Sequence, residues 1–181
     1  MECSIHQPRQ VGLRTSETST DMPAQLVNQR GRRSHLSRVR NALLDYGMRD
    51  NDWVLWIDSD IKKIPKDLIQ QFLHVSTDVM AVACLMERHG RPTNYDFNTR
   101  RFGDEKCRDL PLPFLRDEGR VVKVDIVGTS VLMVRSEVHR KIRFPEVTEP
   151  GGRLESEGFA LNAKKVGYEV VGLPFVEVYH H

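Results

Sequence analysis

The segment Trp53-Val-Leu-Trp-Ile57 constrains this chain more than any other. It is aromatic and β-branched with both faces apolar, as expected of a buried strand in a sheet covered on two sides. It runs directly into Asp58-Ser59-Asp60. Pro65 can open a helix, and Leu68, Ile69, Phe72 and Leu73 repeat at helical spacing to about Val75. Asp78 to Leu85 reads as a second buried strand. Strand, helix and strand at this spacing make a βαβ unit, which predicts a mostly parallel sheet with a right-handed crossover.

Upstream, Leu36, Val39, Leu43 and Tyr46 recur at three- and four-residue steps, predicting a helix from Ser34 that Gly47 can end. Residues 1–33 are polar and without period, and are expected to be loop or disordered. Arg30, Arg32, Arg33, Arg38 and Arg40 make the other face of the helix basic. A nucleic-acid patch is one reading of these arginines. A solvated face or a local phosphate site needs no more than this, and is favoured because 27 Lys and Arg against 25 Asp and Glu leave a net charge of only +2.

Downstream, residues 86–119 are rich in Pro and charge and are expected to form a long irregular surface connection. Regular structure should resume with a strand at Val121 to Asp125, a Gly128-Thr129-Ser130 turn, an apolar strand at Val131 to Val134 and a helix near Ser136 to Lys141. A helix beginning at Glu155 and ending near Gly167 should follow, then two short strands, Tyr168 to Val171 and Phe175 to Tyr179. With 181 residues, one domain over 34–181 is expected. No apolar run approaches the roughly 20 residues that span a bilayer, and no signal peptide is visible. Cys3, Cys84 and Cys107 have no metal-ligand spacing and allow at most one disulfide.

Asp58 and Asp60 are the first candidates for chemistry. Residues two apart on a strand share a side, so both carboxylates can face one point beyond the strand's carboxyl end, where open α/β sheets bind ligands. Hard oxygen ligands suit Mn²⁺ or Mg²⁺ holding a diphosphate. Asp50-Asn51-Asp52 has the same spacing, but precedes the strand in a polar turn. A capping or turn role for Asp58-Ser59-Asp60 is the alternative. His180 and His181 are a metal ligand and its neighbour, the start of a purification tag, or plain exposed ends. Glu155 and Glu157 sit in a first helical turn, where the dipole alone favours acids. Gly128, after Asp125-Ile-Val, either permits a turn or lets a sugar approach the backbone.

Taken together, Arg38-Val-Arg40-Asn41, Trp53 to Asp60 with Pro65, Tyr95-Asp-Phe-Asn98, Val124-Asp125-Ile-Val-Gly128-Thr-Ser130, Phe144-Pro145, Glu155-Ser-Glu157-Gly-Phe159, Gly167-Tyr168, Gly172-Leu-Pro174 and Tyr179-His180 resemble, in order, glycosyltransferase family 62, the mannosyltransferase subunits of fungal Golgi mannan polymerases. The resemblance implies a GT-A-like, Rossmann-like nucleotide-diphospho-sugar transferase fold, shortened at its N-terminus relative to the family. It further implies a retaining α-mannosyltransferase, with α-1,6 linkage, that uses GDP-mannose and Mn²⁺, or Mg²⁺, to extend a mannose-containing glycan, in the Golgi and alongside related subunits.

By the same resemblance, Asp60 and His180 would hold the metal, and Arg40, Asn41, Asp58, Asp125 and Gly128 would contact the donor. Asp58, Asp60 and Glu157 would form the catalytic group, with Glu157 orienting a sugar rather than acting as nucleophile. The competing reading is a non-catalytic subunit that keeps the fold and binds partner transferases. Metal-dependent GDP-mannose binding separates the two.

Overall fold

The computed structural model describes residues 24–104, 108–146, 153 and 155–181, with side chains from residue 29 onward. Cys3, Cys107 and the first 23 residues of the expected polar segment lie outside the described residues. Helix α1 spans Ala24–Gly47, ten residues more than the apolar pattern from Ser34 predicted. The extension is built from good helix formers such as Ala, Gln, Leu and Arg, without an apolar stripe to announce it. A tertiary anchor helps hold it, because Arg33 bonds to Asn98 and Glu157, far along the chain.

Strand β1 is Trp53–Ile57, β2 Ile61–Lys63, α2 Leu68–Val75 and β3 Val79–Arg88. Strand β4 is Arg91–Asn94, β5 Arg100–Arg101 and β6 Leu110–Pro111, followed by a 3₁₀ helix over Leu112–Glu118. Then come β7 (Val122–Lys123), β8 (Val131–Arg135), α3 (Ser136–Lys141), α4 (Glu155–Val166) and β9 (Val170–His180). No helix among the described residues is long and apolar enough to cross a membrane.

The chain is α/β as read, but the sheet is mixed and mainly antiparallel rather than mostly parallel. Its order is β1-β8-β3-β9-β2, with β4 on β3 and β7 on β9. Among the described residues only β3 and β9 pair in parallel. The βαβ pattern was real, since β1 and β3 run the same way, but β8 is inserted between them and is antiparallel to both. A crossover signal cannot distinguish adjacent strands from strands separated by one inserted later. For the same reason β1, expected to be buried, has one strand partner among the described residues and is only half-buried.

Both faces of the sheet are covered, which explains the continuous apolar run of β3. Val79, Ala81 and Ala83 point into a core with Leu44 of α1, Val138 of α3, and Phe159 and Ala160 of α4. Met80, Val82 and Cys84 point the other way, into a core with Leu68 and Phe72 of α2. Burial pushes the free Cys84 thiol up to about 12, so it behaves as a small apolar side chain.

Two further expectations are corrected. The described part of 86–119 is less irregular than expected: β3 and β4 form a hairpin whose turn residues, His89 and Gly90, have φ of 50° and 70°. Positive φ at both central positions is the type I′ pattern that matches strand twist. At the end of the chain, one strand replaces the two expected. Val82 pairs with Leu173 and Ala83 with Glu177, so the intervening residues bulge out and Pro174 is accommodated without ending the strand.

Candidate functional site

Asp58 and Asp60 lie just past β1, in a turn closed by the bond from Ile61 N–H to Asp58 O at 3.2 Å. They are therefore not successive residues of a strand. They nevertheless line one cavity of about 550 Å³, together with Arg32, Arg33, Arg40, Tyr95 and Glu155. The Asp58 N–H donates to Ser130 O at 3.0 Å, tying the turn to the start of β8.

Asp60 meets the end of β9. Its Oδ2 is 2.9 Å from His180 Nε2, because β2 pairs antiparallel to β9 with Ile61 opposite His180. The other ring nitrogen, Nδ1, is 3.1 Å from His181 O. When Nδ1 carries the proton and donates there, Nε2 presents a lone pair to the carboxylate. A contact at 2.9 Å then needs a proton or a cation between them. Tyr95 stacks on the imidazole, with ring centroids 3.6 Å apart, and fixes its plane.

The pair fits a divalent cation in a particular way. Among the described residues no three His, Cys, Asp or Glu side chains gather to hold an ion. Mg²⁺ and similar hard cations characteristically take only one or two protein groups and complete their shell with water and phosphate oxygens. Asp60, half exposed, offers an oxygen, and His180, whose side chain is 13% exposed, offers an oriented nitrogen.

Arg40 organises the inner wall. Its guanidinium donates to Thr129 Oγ1 at 2.7 Å and to Asp58 Oδ1 at 3.3 Å, and makes a close ion pair with Glu155. Burial pushes the Asp58 carboxyl above the usual range, and Arg40 pulls it back. Glu155 has φ of 54°, an uncommon conformation for a residue other than glycine, held in place by its buried partners.

The outer wall is held by Arg33, which donates to Glu157 Oε1 at 2.8 Å and Asn98 Oδ1 at 3.2 Å. Glu157 also bonds Arg153 at 2.5 Å. Burial works to raise the Glu157 carboxyl, but the two arginines outweigh it and hold the group below the usual range. Glu157 is thus a buried anchor for Arg33, and Glu155 is the helix acid that lines the cavity.

Three residues expected at the donor are committed elsewhere. Asn41 clasps the chain after α3, donating to Phe144 O at 2.9 Å and accepting from Phe144 N–H at 3.0 Å. Asp125 accepts from Phe102 N–H at 2.7 Å and pairs closely with Lys164; burial pushes it up, yet these partners hold it below the usual carboxylate range. Gly128 faces no open space, because a Cβ there would lie 2.3 Å from the Asp96 carboxylate. His181 is exposed, with no contact to Asp60 other than its backbone N–H donating to Asp60 O at 3.2 Å.

The sequence reading passed over Arg33, Tyr95 and Thr129 as contributors. Arg33 carried a signal, being part of the basic series read as a local phosphate site. Tyr95 and Thr129 lie in motifs that carry the resemblance, Tyr95-Asp-Phe-Asn98 and Gly128-Thr-Ser130, but neither residue was assigned a role.

Residues 6–110, more than half of the chain, match the Anp1 family. This chain belongs to the Anp1 family. It is 35% identical to the mannan polymerase complex subunit mnn9 of Schizosaccharomyces pombe, across 84% of this chain and 53% of that protein. It is 30% identical to the mannan polymerase complex subunit MNN9 of Candida albicans, across 84% of this chain and 50% of that one. The mannan polymerase I complex VAN1 subunit of Saccharomyces cerevisiae is 28% identical, with 82% and 33% covered. The Anp1 match includes α1, β1 and the Asp58-Ser59-Asp60 turn. The chain spans about half the length, or less, of these relatives.

Proposed function

We propose that this Anp1-family chain carries the metal- and donor-phosphate-binding part of a retaining α-mannosyltransferase, on a GT-A-like fold, that uses GDP-mannose to lengthen a mannose-containing glycan. The observation that carries this reading is the contact of His180 with Asp60, which lines one cavity together with Arg32, Arg33 and Arg40. The names of the relatives support a place among mannan polymerase subunits and a hetero-oligomer with related chains, and the family resemblance adds a Golgi location.

Asp60 and His180 would hold Mn²⁺ or Mg²⁺, which when bound supplies a Lewis acid and a template for the diphosphate. Each remaining role belongs to the chain. Arg32 and Arg33 offer guanidinium donors to phosphate oxygens, and Glu157 keeps Arg33 aimed. Arg40 holds Asp58 toward the nucleotide, so that its carboxylate accepts hydroxyl donors rather than turning to solvent. No protein base is required, because the departing phosphate, on the face where the acceptor enters, can take the acceptor proton.

Isothermal titration of GDP-mannose with and without Mn²⁺ tests this. Binding should need the ion, vanish in Asp60→Ala and persist in Asp52→Ala. An absence of donor binding in the unaltered chain would favour a non-catalytic subunit that recruits partner transferases.

A further inference from the structure

Beside the carboxylate cavity lies a larger groove, of about 710 Å³, between the β3–β4 hairpin and the 3₁₀ helix. Phe97 and Phe114 are 60% and 68% exposed along it, and Tyr95 is 37% exposed. A single exposed aromatic needs no explanation. Three converging on one groove from two separate segments do, all the more because none of them belongs to either core.

The groove is amphipathic. Arg88, Thr93, Arg116 and Glu177 also line it. Arg116 is fixed before any ligand arrives: its Nε donates to Pro174 O at 3.0 Å and its guanidinium pairs closely with Glu177, which also accepts from Tyr179 Oη at 3.1 Å. Such a rim loses little freedom on binding. The groove borders the first cavity, since Tyr95 lines both and has one face on His180. A ligand lying along Phe97 and Phe114 as far as Tyr95 reaches the ring that stacks on His180, the partner of Asp60.

A hexopyranose has the matching chemistry, with an apolar C–H face for the aromatic rings and a belt of hydroxyls for a polar rim. The volume lies within the roughly 300–1,000 Å³ of ligand pockets. Resting on the transferase reading above, we infer that this groove seats the acceptor, a chain of mannose rings stacked across Phe114 and Phe97 with its accepting hydroxyl at Tyr95.

The test is to titrate an α-linked mannotetraose into the full chain, and separately GDP-mannose with Mn²⁺, for the unaltered protein, Phe97→Ala, Phe114→Ala, Phe114→Trp and Ile69→Ala. Ile69 is an exposed apolar residue of α2 outside the groove. Each alanine in the groove should weaken the tetraose about fivefold, in the range of one lost aromatic contact, and leave the donor unchanged. Phe114→Trp should keep the affinity and Ile69→Ala should not alter it. Equal tetraose affinity in every variant, or donor binding without tetraose binding in the unaltered chain, overturns the groove assignment and leaves the transferase reading standing. Groove-dependent tetraose binding without any metal-dependent donor binding does the reverse.

Discussion

A methyl group on Gly128 would sit 2.3 Å from Oδ2 of Asp96, so the absence of a side chain at one residue makes room for the carboxylate of the other. Asp96 cannot easily retreat. It is buried, and accepts from Asn98 N–H at 2.8 Å and from Thr99 Oγ1 at 2.5 Å, while Gly128 N–H donates to Thr99 Oγ1 at 2.8 Å. Gly128→Ala should therefore destabilise the fold by roughly 1–3 kcal/mol, the usual cost of forcing atoms into a packed interior. Denaturant unfolding measures this. An alanine variant as stable as the parent would mean that the Asp96 loop has room to move.

Arg40 and Glu155 make a second prediction. Both are buried and both bond Thr129, and Arg40 also reaches Asp58. Arg40→Met leaves a buried carboxylate without its cation and should cost roughly 3–5 kcal/mol. Adding Glu155→Gln removes the stranded charge, so the double variant should recover much of that loss. Additive losses in the double-mutant cycle would show that the two side chains are not energetically coupled.

The third prediction concerns acid. His139 is fully buried beside Trp56, Phe144 and Phe159, and its Nε2 accepts from Trp56 Nε1 at 3.0 Å. Burial pushes its pKa down to about 4. The unfolded chain takes up this proton near pH 6.5 and the folded chain only near 4, so unfolding binds protons between those values and stability rises with pH across them. The contribution is complete above about pH 6.5 and is lost as pH falls, approaching roughly 3 kcal/mol near the lower value. His139→Gln stays neutral throughout and should flatten the profile in this window. Parallel profiles for the two proteins would contradict the assignment.

What could be read from the sequence follows from how locally each feature is encoded. The apolar runs of β1, β3 and β8 and the helix at Ser136–Lys141 depend on neighbouring residues, and these were found where expected. Sheet direction was not, because β8 pairs between β1 and β3 from a distant part of the chain. The hairpin after β3 was obscured by charge, although His89-Gly90 is a turn signal. The site follows the same rule. Asp58 and Asp60 stood out because an apolar strand ends at them, whereas the pairing of Asp125 with Lys164 was not visible because that partner is on α4. Which polar group a side chain satisfies is a tertiary fact, and spacing does not carry it.

Whether Asp60 and His180 share one divalent ion is decided by Mn²⁺ affinity in the presence of saturating GDP, compared across Asp60→Ala, His180→Ala, the double variant and His181→Ala. Each single variant at the pair should lose on the order of tenfold or more, the double variant should lose little beyond the worse single, and His181→Ala should bind as the parent does. Undiminished Mn²⁺ affinity in His180→Ala, or an equal loss in His181→Ala, would contradict it.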